Sequence, residues 1–276
     1  MSQTRRALLA SVAGLAYGAP AQIVDTHTHF YDPSRPQGVP WPAKTDQLLY
    51  RTVLPADFRK VSAPYGVTGT VVVEASAWVE DNQWILDMAA KDKTIMGLVG
   101  HLEPNSPDFA RNLERFHKNK LFLGIRLGAK AIADCLANPE MLANVKRLAD
   151  ANLMLDAIGQ PEMLPNVVKL SEKIPALRIV IDHLPYNPGQ MLPEIGKHPR
   201  IFAKISGSVP AKEALDELWQ VFGEDRLIYG SNWPVSDKAA TYGEIFKKVQ
   251  AYFAAKGSAA SEKYFWKNSK IAYRWP

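Results

Sequence analysis

The sequence predicts a (β/α)8 TIM barrel, the closed parallel member of the α/β class, and three observations carry that reading. Short apolar runs rich in Val and Ile recur along the chain, and runs of that length and composition read as buried strands. Amphipathic stretches separate them, and strands that alternate with helices make a parallel sheet joined by crossovers. Such units recur about eight times in 276 residues, close to the ~250 residues of a typical eightfold barrel.

In chain order, the expected strands are 23–30, 69–76, 95–102, 121–127, 153–158, 178–183, 201–205 and 227–230. Helix starts are marked by prolines and short polar residues. Asp81-Asn82 opens 83–91, Pro107-Asp108 opens 109–118, Pro139 opens 140–151, Pro161 opens 162–173 and Pro210 leads into 211–222, which Gly223 closes. One long irregular stretch, 32–44, carries Pro33, Pro36, Pro40, Pro42 and Trp41. It directly follows the first strand, so it is expected to pack over the barrel mouth.

Residues 1–21 stand apart as an expected export signal, leaving 22–276 as the barrel domain. Arg5-Arg6 precede the apolar stretch 7–16 and an Ala19-Pro20-Ala21 cleavage site. The paired arginines followed by Leu8-Leu9 resemble a Tat signal, and the apolar stretch is too short for a stable membrane anchor. A periplasmic or otherwise exported protein is the expectation. The formal charge of +5 is spread along the chain with no basic run longer than a pair, which points away from nucleic acid. The single cysteine, Cys135, excludes an internal disulfide and a Cys-rich zinc site, and its place in a helical stretch suggests packing.

Barrel enzymes collect their chemistry at the C-terminal strand ends, which share one mouth. The first strand ends in Asp25, His27 and His29, alternate residues expected to share a face. Two imidazoles at one strand end call for a metal or a polar substrate to satisfy them. The other strand ends add Glu74, His101, Arg126, Asp182, His183, Lys204, Ser206, Asn232 and Trp233. Singly, these admit structural roles: Glu74 as an ion partner of Lys204, Asp182 as an outward cap, Arg126 as the interior partner of a carboxylate. Jointly they suggest a polar ring around a small, oxygen-rich ligand.

Asp-x-His-x-His-Phe-x-Asp from Asp25, Gly-Ile-Arg at Arg126, Asp-His at His183, Lys-x-Ser-Gly from Lys204 and Gly-Ser-x-Trp-Pro around Asn232 occur in that order. This set resembles the amidohydrolase-related branch of the amidohydrolase superfamily, most closely its sugar lactonases, such as L-fuconolactonase and L-rhamnonolactonase, and pyrone-dicarboxylate lactonase. The resemblance implies a hydrolase opening cyclic esters. His27, His29 and His183 would be the metal ligands if a divalent metal, zinc or manganese, is bound, and members without metal leave a metal-free mechanism open. In one place the sequence departs from the family: the strand-eight aspartate that activates water is here Asn232, which cannot accept a proton at working pH.

The sequence-based expectation is therefore an exported lactonase-like hydrolase acting on a small-molecule cyclic ester of a sugar acid. Arg126, with His27 and His29 directly or through a metal, would polarise the carbonyl. His183 or Glu74 would take the water proton and Asn232 would position the water, while His101, Lys204, Ser206, Trp233 and Trp41 would bind substrate. A decarboxylase using the same site, or a barrel that binds sugar acids without turnover, are the alternatives.

Overall fold

A computed structural model describes residues 20–184, 191–207 and 211–276. Residues 1–19, with Arg5, Arg6 and most of the expected signal, lie outside the described residues, as does Pro210. Eight strands form one parallel sheet in sequence order: β1 (Val24–Thr28), β2 (Gly69–Val73), β3 (Ile95–Gly100), β4 (Phe122–Gly128), β5 (Met154–Ile158), β6 (Arg178–Ile181), β7 (Ile201–Ile205) and β8 (Leu227–Tyr229). The ring closes just beyond β8. Asn232 N donates to His27 O at 2.8 Å and His29 N to Trp233 O at 3.0 Å. The expected TIM barrel is therefore the observed one, with each strand inside its expected run or within one residue of it.

The helical layer comprises α1 (Pro55–Ser62), α2 (Val79–Lys91), α3 (Phe109–His117), α4 (Ala129–Ala137), α5 (Pro139–Asp150), α6 (Leu164–Lys173), α7 (Met191–Gly196), α8 (Lys212–Phe222), α9 (Tyr242–Ala255), α10 (Ser258–Glu262) and α11 (Asn268–Tyr273). Asn138 caps α5 by accepting from the Glu140 and Met141 amides. Helix α2 starts before the expected Gln83, with Glu80 and Asp81 in its first turn, where carboxylates complement the helix dipole. Cys135 is fully buried in α4 and packs there. None of the described helices is long and apolar enough to cross a membrane.

Two apolar shells hold the barrel. One lies between strands and helices, and the other fills the barrel floor with Val24, Val71, Val73, Val99, Leu123, Met154, Val180, Phe202 and Ile228 above Tyr273 and Trp275. Because side chains alternate along a strand, each strand that puts an apolar group on the floor puts its second-next residue one layer higher. Met154 is followed by Asp156 and then Ile158, Phe202 by Lys204 and Ser206, Val180 by Asp182, and Ile228 by Gly230 and Asn232. The polar residues of the strand ends thus form two tiers, a buried one and one that opens to the mouth.

Strand β1 departs from simple alternation and corrects one expectation. Its register with β2 runs Val24–Gly69, Asp25–Thr70 and then Thr28–Val72, so Thr26 and His27 together oppose the single residue Val71. This is a β-bulge, which re-aims the side chains that follow it. His27 and His29 face the interior, whereas Asp25 faces the helical layer and accepts from Tyr242 Oη of α9 at 3.1 Å. Asp25 also accepts from the His27 and Ser231 amides at 3.1 and 2.8 Å, tying β1 to the end of β8. It belongs to the scaffold and lies on the other side of the sheet from the two histidines.

Candidate active site

The buried tier is a charge cluster. Lys204 Nζ lies 2.8 Å from Asp156 Oδ2 and 2.8 Å from Asp182 Oδ1, and all three side chains are fully buried. Tyr273 Oη, arriving from α11, donates to the other oxygen of Asp156 at 3.0 Å. Burial, and then the neighbouring Asp182, push the Asp156 carboxyl up to about 7. Burial opposes ionisation of Asp182 too, but Lys204, followed by His27, outweighs it and holds that carboxyl well below the usual range. Gly230 makes room for the cluster, since a Cβ there would lie 2.7 Å from His27 Cβ and 3.2 Å from Lys204 Cδ.

Three imidazoles sit on this cluster. The His27 ring is centred 5.0 Å from that of His29 and 4.5 Å from that of His183. Burial, reinforced by nearby cations, lowers all three pKa values: His27 well below its usual value, His29 to about 3, and His183 in the same direction. All three are therefore neutral at neutral pH. His29 Nδ1 donates to Val73 O at 3.0 Å, which leaves Nε2 as an acceptor facing the Asn232 side-chain amide at 3.2 Å. That amide donates once its NH2 is turned toward the ring, and its carbonyl oxygen then points elsewhere. His183 Nδ1 pairs with Ser206 Oγ at 2.8 Å. His183 and Asn232 both have left-handed backbone, with φ of 61° and 62°, a conformation that recurs at functional sites.

Above the imidazoles opens a cavity of about 440 Å³, lined by His29, Glu74, Arg126, His183 and Asn232 on its polar side and by Trp41, Ile158 and Val235 among its apolar groups. Its size suits a small-molecule ligand. Arg126 Nε donates to Glu74 Oε1 at 2.9 Å and Nη2 to Glu74 O at 3.0 Å. Nη1 is 4.0 Å from Asp182 Oδ2. Trp41 reaches the mouth because the loop at 32–44 folds over it, with Arg35 bonded to both oxygens of Asp81 at 2.9 and 3.0 Å and stacked 4.4 Å from the Trp84 ring centre.

Of the residues predicted from sequence, Glu74, Arg126, His29, His183, Asn232 and Trp41 share this cavity, with His27 directly beneath. Four others are placed elsewhere. Lys204 lies one tier too deep to meet a ligand, and its partners are Asp156 and Asp182, with Glu74 paired to Arg126 instead. Ser206 is buried behind His183. Trp233 turns outward to pack on Phe58, 5.8 Å between ring centres. His101 pairs with Glu103 at 2.9 Å, away from the cavity wall. Asp182 faces the interior, since β6 stops at Ile181 and the next residue continues its inward alternation. Asp156 escaped the sequence reading, although a carboxylate inside Leu155-Asp156-Ala157 is the same interruption that singled out Glu74.

A metal site is testable on the donors themselves. Ligand atoms of His27, Asp182 and His183 lie within 4.8 Å of one another. His27 Nε2 and both Asp182 oxygens are buried without a hydrogen-bond partner among the described residues; the Lys204 contact with Asp182 is ionic but poorly aligned. Buried polar atoms left open in this way, all three on an imidazole or a carboxylate side chain, fit a divalent cation. His29, with both ring nitrogens engaged, stands beside this group.

A family model described as amidohydrolase matches residues 24–275. An L-fucono-1,5-lactonase of Burkholderia ambifaria is 30% identical over 242 residues, covering 80% of this chain and 83% of the relative. A second L-fucono-1,5-lactonase, of Burkholderia multivorans, is 24% identical and covers 88% and 92%. A crystal structure of an amidohydrolase from Burkholderia multivorans with bound zinc superposes with a TM-score of 0.82 at 22% identity, over 93% of this chain and all of that one.

Proposed function

The chain belongs to the amidohydrolase family, and from that premise we propose that it opens a lactone of a sugar acid, or a similar cyclic ester, by adding water to the ring carbonyl. Two relatives that match this chain over most of their length are L-fucono-1,5-lactonases. The observation that carries the reading is a neutral imidazole, His183, beside the Asn232 amide and the Arg126 guanidinium in one cavity.

In this mechanism the His183 Nδ1–H donates a hydrogen bond to Ser206 Oγ, leaving Nε2 with a lone pair to take a proton from water. Asn232 accepts a hydrogen bond from the second water O–H through its side-chain oxygen and so orients the nucleophile. As the water oxygen bonds to the carbonyl carbon, the carbonyl oxygen becomes an oxyanion, which Arg126 Nη1 stabilises. Collapse breaks the bond between the acyl carbon and the ring oxygen. The proton held by His183 passes to that oxygen, giving the open hydroxy acid.

Where a divalent metal such as zinc or manganese is bound, His27, Asp182 and His183 would hold it, and it would supply Lewis-acid polarisation of the carbonyl. One imidazole cannot both ligate a metal and accept a proton, so the base argued above is that of the metal-free chain. We also propose export, with Gln22 near the mature N-terminus. Titration of released acid with a panel of sugar 1,5-lactones tests the activity. Opening of at least one lactone, lost in His183→Ala, is the expected outcome, and failure on the whole panel with and without zinc or manganese refutes it.

A further inference from the structure

We propose that Glu74 is a specificity-determining residue: by pairing with Arg126 it confines the site to lactones that carry no further charge and bars ring substrates bearing a carboxylate. The inference rests on the lactonase reading and names the substrate class of that site.

Arg126 is the one cation lining the cavity among the described residues, and a guanidinium there is the natural anchor for a substrate carboxylate. In this chain the anchor is already engaged. Glu74 Oε1 lies 2.7 Å from Nη2 and 2.9 Å from Nε, and both side chains are mostly buried. The edge of the guanidinium that would bind a carboxylate through two parallel hydrogen bonds is filled by a residue of the chain. Only Nη1 is left, and it faces Asp182 at 4.0 Å. One such group can donate to an uncharged carbonyl oxygen.

The neighbouring charges point the same way. Lys204, the next cation inward, is shared between Asp156 and Asp182. Arg35, behind the cavity wall, is bonded to Asp81. Lys238, three residues beyond the cavity-lining Val235, is paired with Asp46. Segments 185–190 and 208–210 contain no Lys, Arg, Asp or Glu in the sequence. A substrate carboxylate would thus enter a pocket whose lining cation is, among the described residues, already matched, directly beside the Glu74 carboxylate. Like charges brought together in this way are expected to lower affinity by about 100-fold. The same matching weighs against decarboxylation of an aromatic acid, whose carboxylate would need that guanidinium.

The test compares an uncharged sugar 1,5-lactone with a lactone bearing a ring carboxylate, such as 2-pyrone-4,6-dicarboxylate, on wild type and Glu74→Gln. Wild type is expected to favour the uncharged lactone by about 100-fold in kcat/KM. Glu74→Gln, which frees the guanidinium while keeping the side-chain shape, is expected to shift that ratio toward the charged lactone by about tenfold or more. Calorimetry with citrate as an anionic probe reads the same lock without turnover: no binding to wild type, binding to folded Glu74→Gln. Comparable wild-type activity on both lactones, or an unchanged ratio in the variant, overturns the proposal while leaving the lactonase reading intact. Should wild type open neither lactone, the lactonase reading falls, and citrate binding then decides the lock alone, with binding by wild type overturning it. Glu74→Asp, which keeps the charge, is expected to retain exclusion of citrate even if it loses rate.

Discussion

Replacing Lys204 by Met keeps most of the side-chain volume and removes the one charge that two buried carboxyls share. Asp156 and Asp182 each lie 2.8 Å from Nζ with no exposure. Deleting one partner of a buried ion pair typically costs about 3–5 kcal/mol, because the other charge is left unmatched in a poorly polarisable interior. For a chain of this size that corresponds to a fall in Tm of about 10 °C. The loss has a pH signature. Lys204 lowers the pKa of both carboxyls, so without it both rise above their unfolded values and the folded state takes up protons as pH falls. Stability tied to a raised carboxyl is present at low pH and is lost as pH rises through the folded pKa, so the deficit of Lys204→Met should be larger at pH 8 than at pH 5. Thermal unfolding followed by circular dichroism across that range measures it. A Tm within 2 °C of wild type at both pH values, on the scale of about 2–4 °C per kcal/mol, would show that the cluster is not a buried ion pair.

Three further outcomes are expected. Asn232→Asp puts a carboxylate where the amide stands 3.2 Å from His29 Nε2, so the His29 pKa should rise from about 3 and divalent metal should bind more tightly; histidine NMR and metal titration read both, and no change in either means that residue 232 does not address the imidazoles. His183→Ala should lower kcat by about 10²–10⁴ with little change in KM, the usual worth of a general base; in wild type kcat/KM should fall as pH drops through a midpoint below the usual 6.5, since burial lowers that imidazole, whereas an acid limb above 7 would point to another group. Sequencing the N-terminus of protein from the native envelope fraction should give a start near Gln22, and intact Met1 confined to the cytosol would end the export proposal.

The strands were readable because parallel barrel strands are buried on both faces and so appear as continuous Val- and Ile-rich runs. The direction in which a strand-end residue points was harder to read. Asn232 and Trp233 are adjacent in one motif, yet the left-handed backbone at Asn232 sends its amide over the histidines and Trp233 out among the helices. The bulge at Thr26–His27 is one inserted residue in the pairing with β2, and nothing in the alternation of β1 alone marks it. Depth was the other hidden quantity. Lys204 and Ser206 both face inward, and only the floor residue Phe202 beneath them tells which tier each occupies.

The two tiers depend on each other. Burial alone lowers an imidazole pKa, and the cations add to it: Lys204 acts on His27 and His183, and Arg126 on His29 and His183. Each cation would attract anions into the site if it were unmatched. Asp156 and Asp182 match Lys204 within the buried tier, and Glu74 matches Arg126 from the wall. The short-range field that keeps the imidazoles neutral is thereby retained, while at the distance of an approaching ligand the opposed charges largely cancel. A pocket built this way holds neutral bases ready for water at neutral pH without concentrating carboxylates, including the hydroxy acid that lactone opening would produce. Pairing Arg126 with Glu74 therefore favours release of the charged product as well as exclusion of a charged substrate.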